Sequence, residues 1–397
     1  MKILFIEACN YVDFPIGGQL IFAEQIVKSF NDELYLVGIS TDGTPAGKWV
    51  KKTFNGISYN YFALHEAKKV TGKPLIPRRF STYYHLKKYK DEILKFQYDY
   101  SMCCAPEVLV AIRDWDLKHL TYNFSGIENP LANSRYWYGK LIKNIYDPVF
   151  YPALKKAEFV LAAADRDNIE KLTINSNGVL KNGEVIQFHT RIDMNIFRYR
   201  NKLDMRRELN LPLNSTIIVS TSRLHWIKGW KLKLEAYAEF VKTHPDSFLY
   251  MLGDGASRGE VESFVESAGL SEHVKLLGFQ PREIIAKYLN AADLFVLCSF
   301  REGWSTALLE AKGSCIPLCV TNFSSAKDIV DEGVDGYVLD SRDPHAYAVN
   351  MERALALRID PTDQENKMQR YAASRLKEDL FKIWEGQNSV EYFQESL

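Results

Sequence analysis

The sequence predicts an α/β protein built from two units of similar size. Three observations carry this reading. The chain has 397 residues, more than one hydrophobic core usually serves, so two domains of roughly 150–200 residues are the better division. Short apolar runs alternate with amphipathic helical patterns along its length, as in a parallel sheet flanked by helices. Several runs close on glycine turns, at Gly17-Gly18, at Gly253-Asp254-Gly255 and at Gly278.

Lys2 to Glu7 reads as the first strand. Leu20, Ile21, Ala23, Ile26, Val27 and Phe30 then recur at helical spacing, and Leu34 to Ile39 reads as the second strand. Glycines between strand and helix let a ligand approach the backbone, and the helix start favours an anion. The turn lacks G-x-G-x-x-G, so a dinucleotide site is unsupported. Residues 68–90 hold eight Lys or Arg and no Asp or Glu, with Phe80, Tyr83, Tyr84 and Tyr89 interleaved. Such a stretch suits a solvated face, or an anionic membrane surface at about 1 kcal/mol per basic residue. Tyr98 to Cys104 and Leu120 to Gly126 read as further strands. Residues 128–150, rich in Tyr, Trp and Asn, suit either a sugar acceptor or a helix packed by aromatics. Val160 to Ala164 and Val185 to Phe188 are strand candidates. The charged residues 198–210 mark a boundary, giving units over 1–200 and 201–375, and the amphipathic segment from Leu376 reads as a helix crossing back to the first unit.

The second unit repeats the alternation. Thr216 to Ser220 is a strand, and Arg223 and Lys228 sit on the loop after it, a bidentate phosphate grip beside a mobile point charge. Strands ending at Gly253 and Gly278 follow. Asp293 to Leu297 is then a strand, Gly303 a tight turn, and Ser305 or Thr306 the N-cap of a helix carrying Leu308, Leu309 and Ala311. Glu302 is thereby left at a strand's carboxyl end, where open α/β sheets place ligands. Glu310 lies roughly 6–8 Å further along at ~1.5 Å per residue. The helix start between the two carboxylates is a seat for phosphate. Ile316 to Val320 and Gly333 to Val338 complete the series.

Composition narrows the function. Fifty basic and fifty acidic residues cancel, so no global field draws nucleic acid. The six scattered cysteines read as reduced, buried thiols, and Cys315 and Cys319 lack neighbours in sequence to complete a metal site. No apolar run approaches the ~18 residues of a membrane span. The expectation is a cytoplasmic protein, peripheral at most at the inner membrane surface through residues 68–90.

The block Asp293-Leu-Phe-Val-Leu-Cys-Ser-Phe-Arg-Glu-Gly-Trp-Ser-Thr-Ala-Leu-Leu-Glu-Ala resembles the E-x7-E signature of retaining glycosyltransferases of GT-B fold, family 4. Arg223 and Lys228 match that family's R-x4-K spacing, and the Gly17-Gly18 turn is similar to the one that opens its members. The resemblance implies two Rossmann-like domains facing across a cleft. It places Glu302 beside the transferred sugar, Glu310 on the ribose hydroxyls, Arg223 and Lys228 on the leaving diphosphate, and backbone around Gly303, Trp304, Ser305 and Thr306 on the phosphates. It also implies base contacts from Phe279 and Gln280, and gives Gly17 and Gly18 a place in the cleft. The implied activity is transfer of a sugar from a nucleotide diphosphate, a UDP-sugar first, to a glycan or lipid-linked hydroxyl, with retained configuration and no metal or other cofactor.

Two departures stand out. Where many members carry a histidine after an N-terminal strand, the nearest residues are Cys104, Asn123 and Ser125, of which Asn123 and Ser125 are taken as acceptor-binding. The family's Gly-Val-Asp loop is here Arg191-Ile192-Asp193. Asp114-Trp115-Asp116 and Asp165-Arg166-Asp167 match the DxD metal pattern of the other major glycosyltransferase fold. A GT-B phosphorylase, or a nucleotide-sugar-binding subunit without turnover, are the competing readings.

Overall fold

The computed structural model describes residues 1–14, 18–67, 77–124, 126, 131, 143–181 and 183–386. Gly17, Ser125, the first part of the basic stretch and most of the aromatic stretch after Asn123 lie outside these. The chain divides into two compact units. One is Met1–His189 together with the chain from Ser374 onward; the other is Thr190–Ala373.

In the first unit the described strands are β1 (Ile3–Ile6), β2 (Leu34–Ser40), β3 (Trp49–Phe54), β4 (Ile57–Glu66), β5 (Tyr100–Cys103), β6 (Leu120–Phe124), β7 (Phe159–Ala162) and β8 (Val185–Gln187). Their order is β3-β4-β2-β1-β5-β6-β7-β8. All pairs are parallel except β3 with β4. β1 is fully buried, as a central parallel strand covered on both faces should be. The order reverses between β1 and β5, which makes their carboxyl ends the switch point of this sheet. Helix Leu376–Trp384 packs on the same unit: Trp384 stacks on Tyr100 at 4.3 Å between ring centroids, and its Nε1 donates to Thr121 Oγ1 at 2.8 Å.

The second unit contains β9 (Thr216–Thr221), β10 (Ser247–Leu252), β11 (Val274–Gly278), β12 (Leu294–Leu297), β13 (Leu318–Thr321) and β14 (Gly336–Leu339). Their order is β11-β10-β9-β12-β13-β14, parallel throughout. Its switch point lies between β9 and β12, at the ends carrying the Arg223–Lys228 and Glu302 loops. The loop at Arg191 belongs to this unit, not to the first, so the division falls before residue 200. Ile192 N–H donates to the Tyr371 carbonyl at 2.9 Å, and buried Arg191 donates from Nη1 to the Arg370 carbonyl at 2.9 Å.

No helix among the described residues is long and apolar enough to cross a membrane.

Candidate active site

The carboxyl ends of β9, β10 and β11 are laced together by backbone. Ser222 N–H donates to the Leu252 carbonyl at 3.0 Å, Leu224 N–H to the Asp254 carbonyl at 3.1 Å, and Gly253 N–H to the Gly278 carbonyl at 2.8 Å. Gly253 has φ 132°, and a Cβ there would lie 2.1 Å from the Ser222 carbonyl oxygen. Only glycine allows that approach. The turn next to Lys228 is equally tight: Gly229 has φ 62°, and a Cβ would meet the Cys298 carbonyl oxygen at 1.9 Å. The cation loop is therefore pressed against the end of β12.

This contact brings two of the expected residues together. Lys228 Nζ donates to both oxygens of Glu302, at 2.6 Å each. Ser299 Oγ donates to Glu302 Oε1 at 2.6 Å. Both charged side chains are largely buried, at 15% and 13% exposed, so the attraction is screened less than at the surface. Arg223 stays exposed on the same loop and makes no ion pair among the described residues.

Helix Thr306–Gly313 starts immediately behind. Ser305 is its N-cap, with Oγ accepting from Leu308 N–H at 3.4 Å. The Ser305 N–H is already engaged by Ser325 Oγ at 3.3 Å, which corrects the expectation that it faces phosphate. The amides ahead of the intrahelical ladder are those of Thr306 and Ala307. Gly303 is exposed, whereas the Trp304 ring is buried near Tyr371, 6.3 Å between centroids. Trp304 thus offers the site main chain only. Glu310 is buried, and burial pushes its carboxyl up to about 7 against the opposing pull of Arg282. Arg282 Nη2 lies 3.7 Å from Glu310 Oε1, and the buried Nε and Nη2 atoms of Arg282 have no hydrogen-bond partner. Phe279 is exposed, and Gln280 Nε2 donates to the Leu277 carbonyl at 2.6 Å, which fixes the turn.

Sequence reasoning missed three supporting residues. Arg342 donates to the carbonyls of Cys298 and Ser299 at 3.0 and 2.9 Å, holding the strand end that carries Glu302. Ser324 Oγ donates to the Glu302 carbonyl at 2.6 Å. Arg282 faces Glu310. Arg282 had a signal, since it directly follows the turn at Gly278 to Pro281; Arg342 and Ser324 had none.

In the first unit, Gly18 opens helix Gly18–Phe30. Asn123 is buried at the end of β6, and its Oδ1 has no hydrogen-bond partner. Two strands away in the same sheet, at the end of β1, lies a residue that sequence reading left as part of a strand. Glu7 follows β1 and is 1% exposed. Its carboxylate accepts from Gln19 Nε2 at 2.5 Å, Ala8 N–H at 3.2 Å and Cys104 N–H at 3.1 Å. Burial, then the nearby Glu107 charge, push it up to about 7.

The first aspartate of each DxD pair has a structural role. Asp114 is bonded to Lys87 at 2.5 Å, and Asp165 caps helix Arg166–Asn175. Among the described residues no three His, Cys, Asp or Glu side chains converge on a metal position, and all six cysteines are free thiols.

Residues 201–375 match the family described as glycosyl transferases group 1. D-inositol 3-phosphate glycosyltransferase of Corynebacterium kroppenstedtii is 28% identical over 190 residues, 44% of this chain and 42% of that protein. The amylovoran biosynthesis glycosyltransferase AmsK of Erwinia amylovora is 30% identical over 158 residues, 38% of each. The matches thus span about two fifths of these relatives' length. Among solved structures, sucrose-phosphate synthase from Thermosynechococcus elongatus superposes with a TM-score of 0.76 at 17% identity, covering 98% of this chain and 99% of that one. Anabaena HepE in complex with UDP and glucose gives 0.70 at 18%, covering 97% and 99%. Residues 201–375 belong to the glycosyl transferases group 1 family, and they do so on a chain with the GT-B fold.

Proposed function

We propose that the protein is a retaining glycosyltransferase that moves a sugar from a nucleoside diphosphate donor, a UDP-sugar first, to a hydroxyl of a glycan or lipid-linked acceptor. The observation that carries this is the Lys228–Glu302 pair, 2.6 Å from Nζ to both carboxylate oxygens, at the start of helix Thr306–Gly313. As the glycosidic bond breaks, negative charge builds on the leaving phosphate. Lys228, Arg223 and the amides of Thr306 and Ala307 are the groups to meet it, already placed before the reaction begins. Glu302 orients the donor sugar and opposes the positive character at its anomeric carbon. Glu310 takes the ribose hydroxyls, with Arg282 favouring its ionised form.

The departing phosphate oxygen receives the acceptor proton on the same face, so no separate base is needed. The cations do the electrostatic work that a divalent metal does elsewhere, and no cofactor is required. Asn123 serves the acceptor. Helix Arg78–Lys88 exposes Phe80, Tyr83 and Tyr84 beside Arg79 and Lys88, which supports peripheral contact with an anionic cytoplasmic membrane face. Part of its charge is already answered, since Asp114 pairs with Lys87. Sedimentation with anionic and neutral vesicles tests this: equal binding to both rules out the charge-led contact.

The test of the main reading is transfer from UDP-sugars with EDTA present, with the anomeric configuration of the product read by NMR. Retained configuration is expected. An inverted product would falsify the mechanism.

A further inference from the structure

We propose that Lys233 is a third cation of the donor diphosphate site, buried beneath the Arg223–Lys228 loop, and that its charge raises affinity for a nucleoside diphosphate through space. This rests on the donor reading above. Lys233 lies in the first turns of helix Trp230–Thr243, and its N–H donates to the Gly229 carbonyl at 3.1 Å. It is 2% exposed, between buried Leu232 and Leu234. Its ammonium donates to Ser220 Oγ, on the strand that leads into the loop. Among the described residues no carboxylate lies within ion-pair distance of it. Burying an ammonium without a counter-charge is costly, and an aliphatic side chain would fill the same space without that cost. Retention of the charge is explained if an anion arrives close by.

The surroundings fit. The Lys228 charge acts on it from the loop and the Cys298 thiol from the end of β12. The Cys298 carbonyl accepts from Arg342 at 3.0 Å, and Tyr347 is a further neighbour of that thiol. Burial pushes the Cys298 thiol up, so it stays neutral. Burial first, with Lys228 adding, pulls the Lys233 ammonium down to about 8. It is therefore mostly charged at pH 7 and discharged at pH 9. A unit charge about 10 Å from an anion, at an effective dielectric of about 20, is worth about tenfold in affinity.

The experiment is calorimetric titration with UDP, EDTA present, from pH 6.5 to 9.5, on the full chain and on Lys233→Met. The wild type is expected to weaken about tenfold as pH rises through about 8. The variant is expected to bind about tenfold more weakly at pH 7, without a step near 8. Equal affinity and the same pH profile in both would overturn the proposal. If Lys233→Met fails to fold, Lys233→Arg decides, since it keeps a charge at this position that does not titrate between pH 6.5 and 9.5. Affinity that no longer weakens through pH 8 in Lys233→Arg supports Lys233; a step near pH 8 that persists in it refutes it. Absence of UDP binding by the wild type at every pH is a different failure, that of the donor reading itself.

Discussion

Both sheets carry a glutamate beyond the end of a central parallel strand, and the two carboxylates are treated in opposite ways. Glu302, after β12, faces the Lys228 ammonium and the Ser299 hydroxyl. Glu7, after β1, has only neutral donors: one side-chain amide and two backbone N–H groups. Near Glu302 the sequence gathers Arg223, Lys228, Lys233 and a helix start. Near Glu7 the charged neighbour is another carboxylate, Glu107, and Asn123 Oδ1 is left without a hydrogen-bond partner. A diphosphate is drawn to the first arrangement; the second offers it no cation. One architecture, used twice, thus carries a cation-paired carboxylate at one strand end and a carboxylate with neutral donors at the other, and this contrast supports the proposed donor role of the first.

The strongest way to break this contrast is at Glu302. Glu302→Gln should lower kcat by about 10³-fold, roughly 4 kcal/mol, the scale of losing a preorganised electrostatic contact. UDP binding should weaken only modestly. Turnover and calorimetry on the same sample separate the two effects, and unchanged turnover would remove Glu302 from the chemistry.

The Glu7 side is tested through stability. Its raised value means that the folded chain holds a proton which the unfolded chain releases above about 4.5. Stability contributed by this group is full below that pH and is lost as pH rises through about 7. The rise from 4.5 to about 7 is worth about 3 kcal/mol at most. Glu7→Gln should flatten the fall in stability between pH 4.5 and 7 while leaving UDP affinity unchanged. Denaturant melts at pH 5 and pH 8 give the slope; an identical slope in the variant would contradict the burial argument.

Arg342→Met should release the Cys298 and Ser299 carbonyls that place Glu302. A loss of about 1–2 kcal/mol in stability is expected, with kcat falling more than UDP affinity. The smallest effect belongs to Lys87→Ala, which deletes an exposed pair with Asp114. It should change stability by about 0.5 kcal/mol or less, and a larger loss would show that helix Arg78–Lys88 is held by charge rather than by buried Thr82 and Leu86.

The donor side was the more legible half. Apolar strands β9 and β12 end at loops whose charges lie close in sequence, and the resemblance to the family's R-x4-K and E-x7-E patterns brought Arg223, Lys228 and the Glu302 to Glu310 segment into view. The supporting residues were hidden because their contacts are tertiary: Arg342 lies more than forty residues from the carbonyls it holds. Lys233 looks like any helix lysine until its burial is seen. The inward turn of the Trp304 ring was not legible either, because an aromatic in a loop can turn inward as readily as outward. The β3–β4 hairpin went unremarked although Asn55-Gly56 marks its turn, with φ 49° and 78° at the two residues, the pattern that hairpin turns require. Its outer strand is mostly half-buried and shows no apolar alternation, so it gave little periodic signal. Glu7 was read as the polar end of a strand; its isolation depends on what β5 and helix Gly18–Phe30 bring beside it.

The central claim is that an anion site stands where Lys228 meets Glu302 at the start of helix Thr306–Gly313. Its most direct test is calorimetric titration of UDP in EDTA against the wild type and against Arg223→Met and Lys228→Met. The account predicts binding that survives the chelator and weakens by about 10–100-fold in each variant, the scale of losing a charged hydrogen bond. Binding that depends on metal, or that is indifferent to both substitutions, would contradict it.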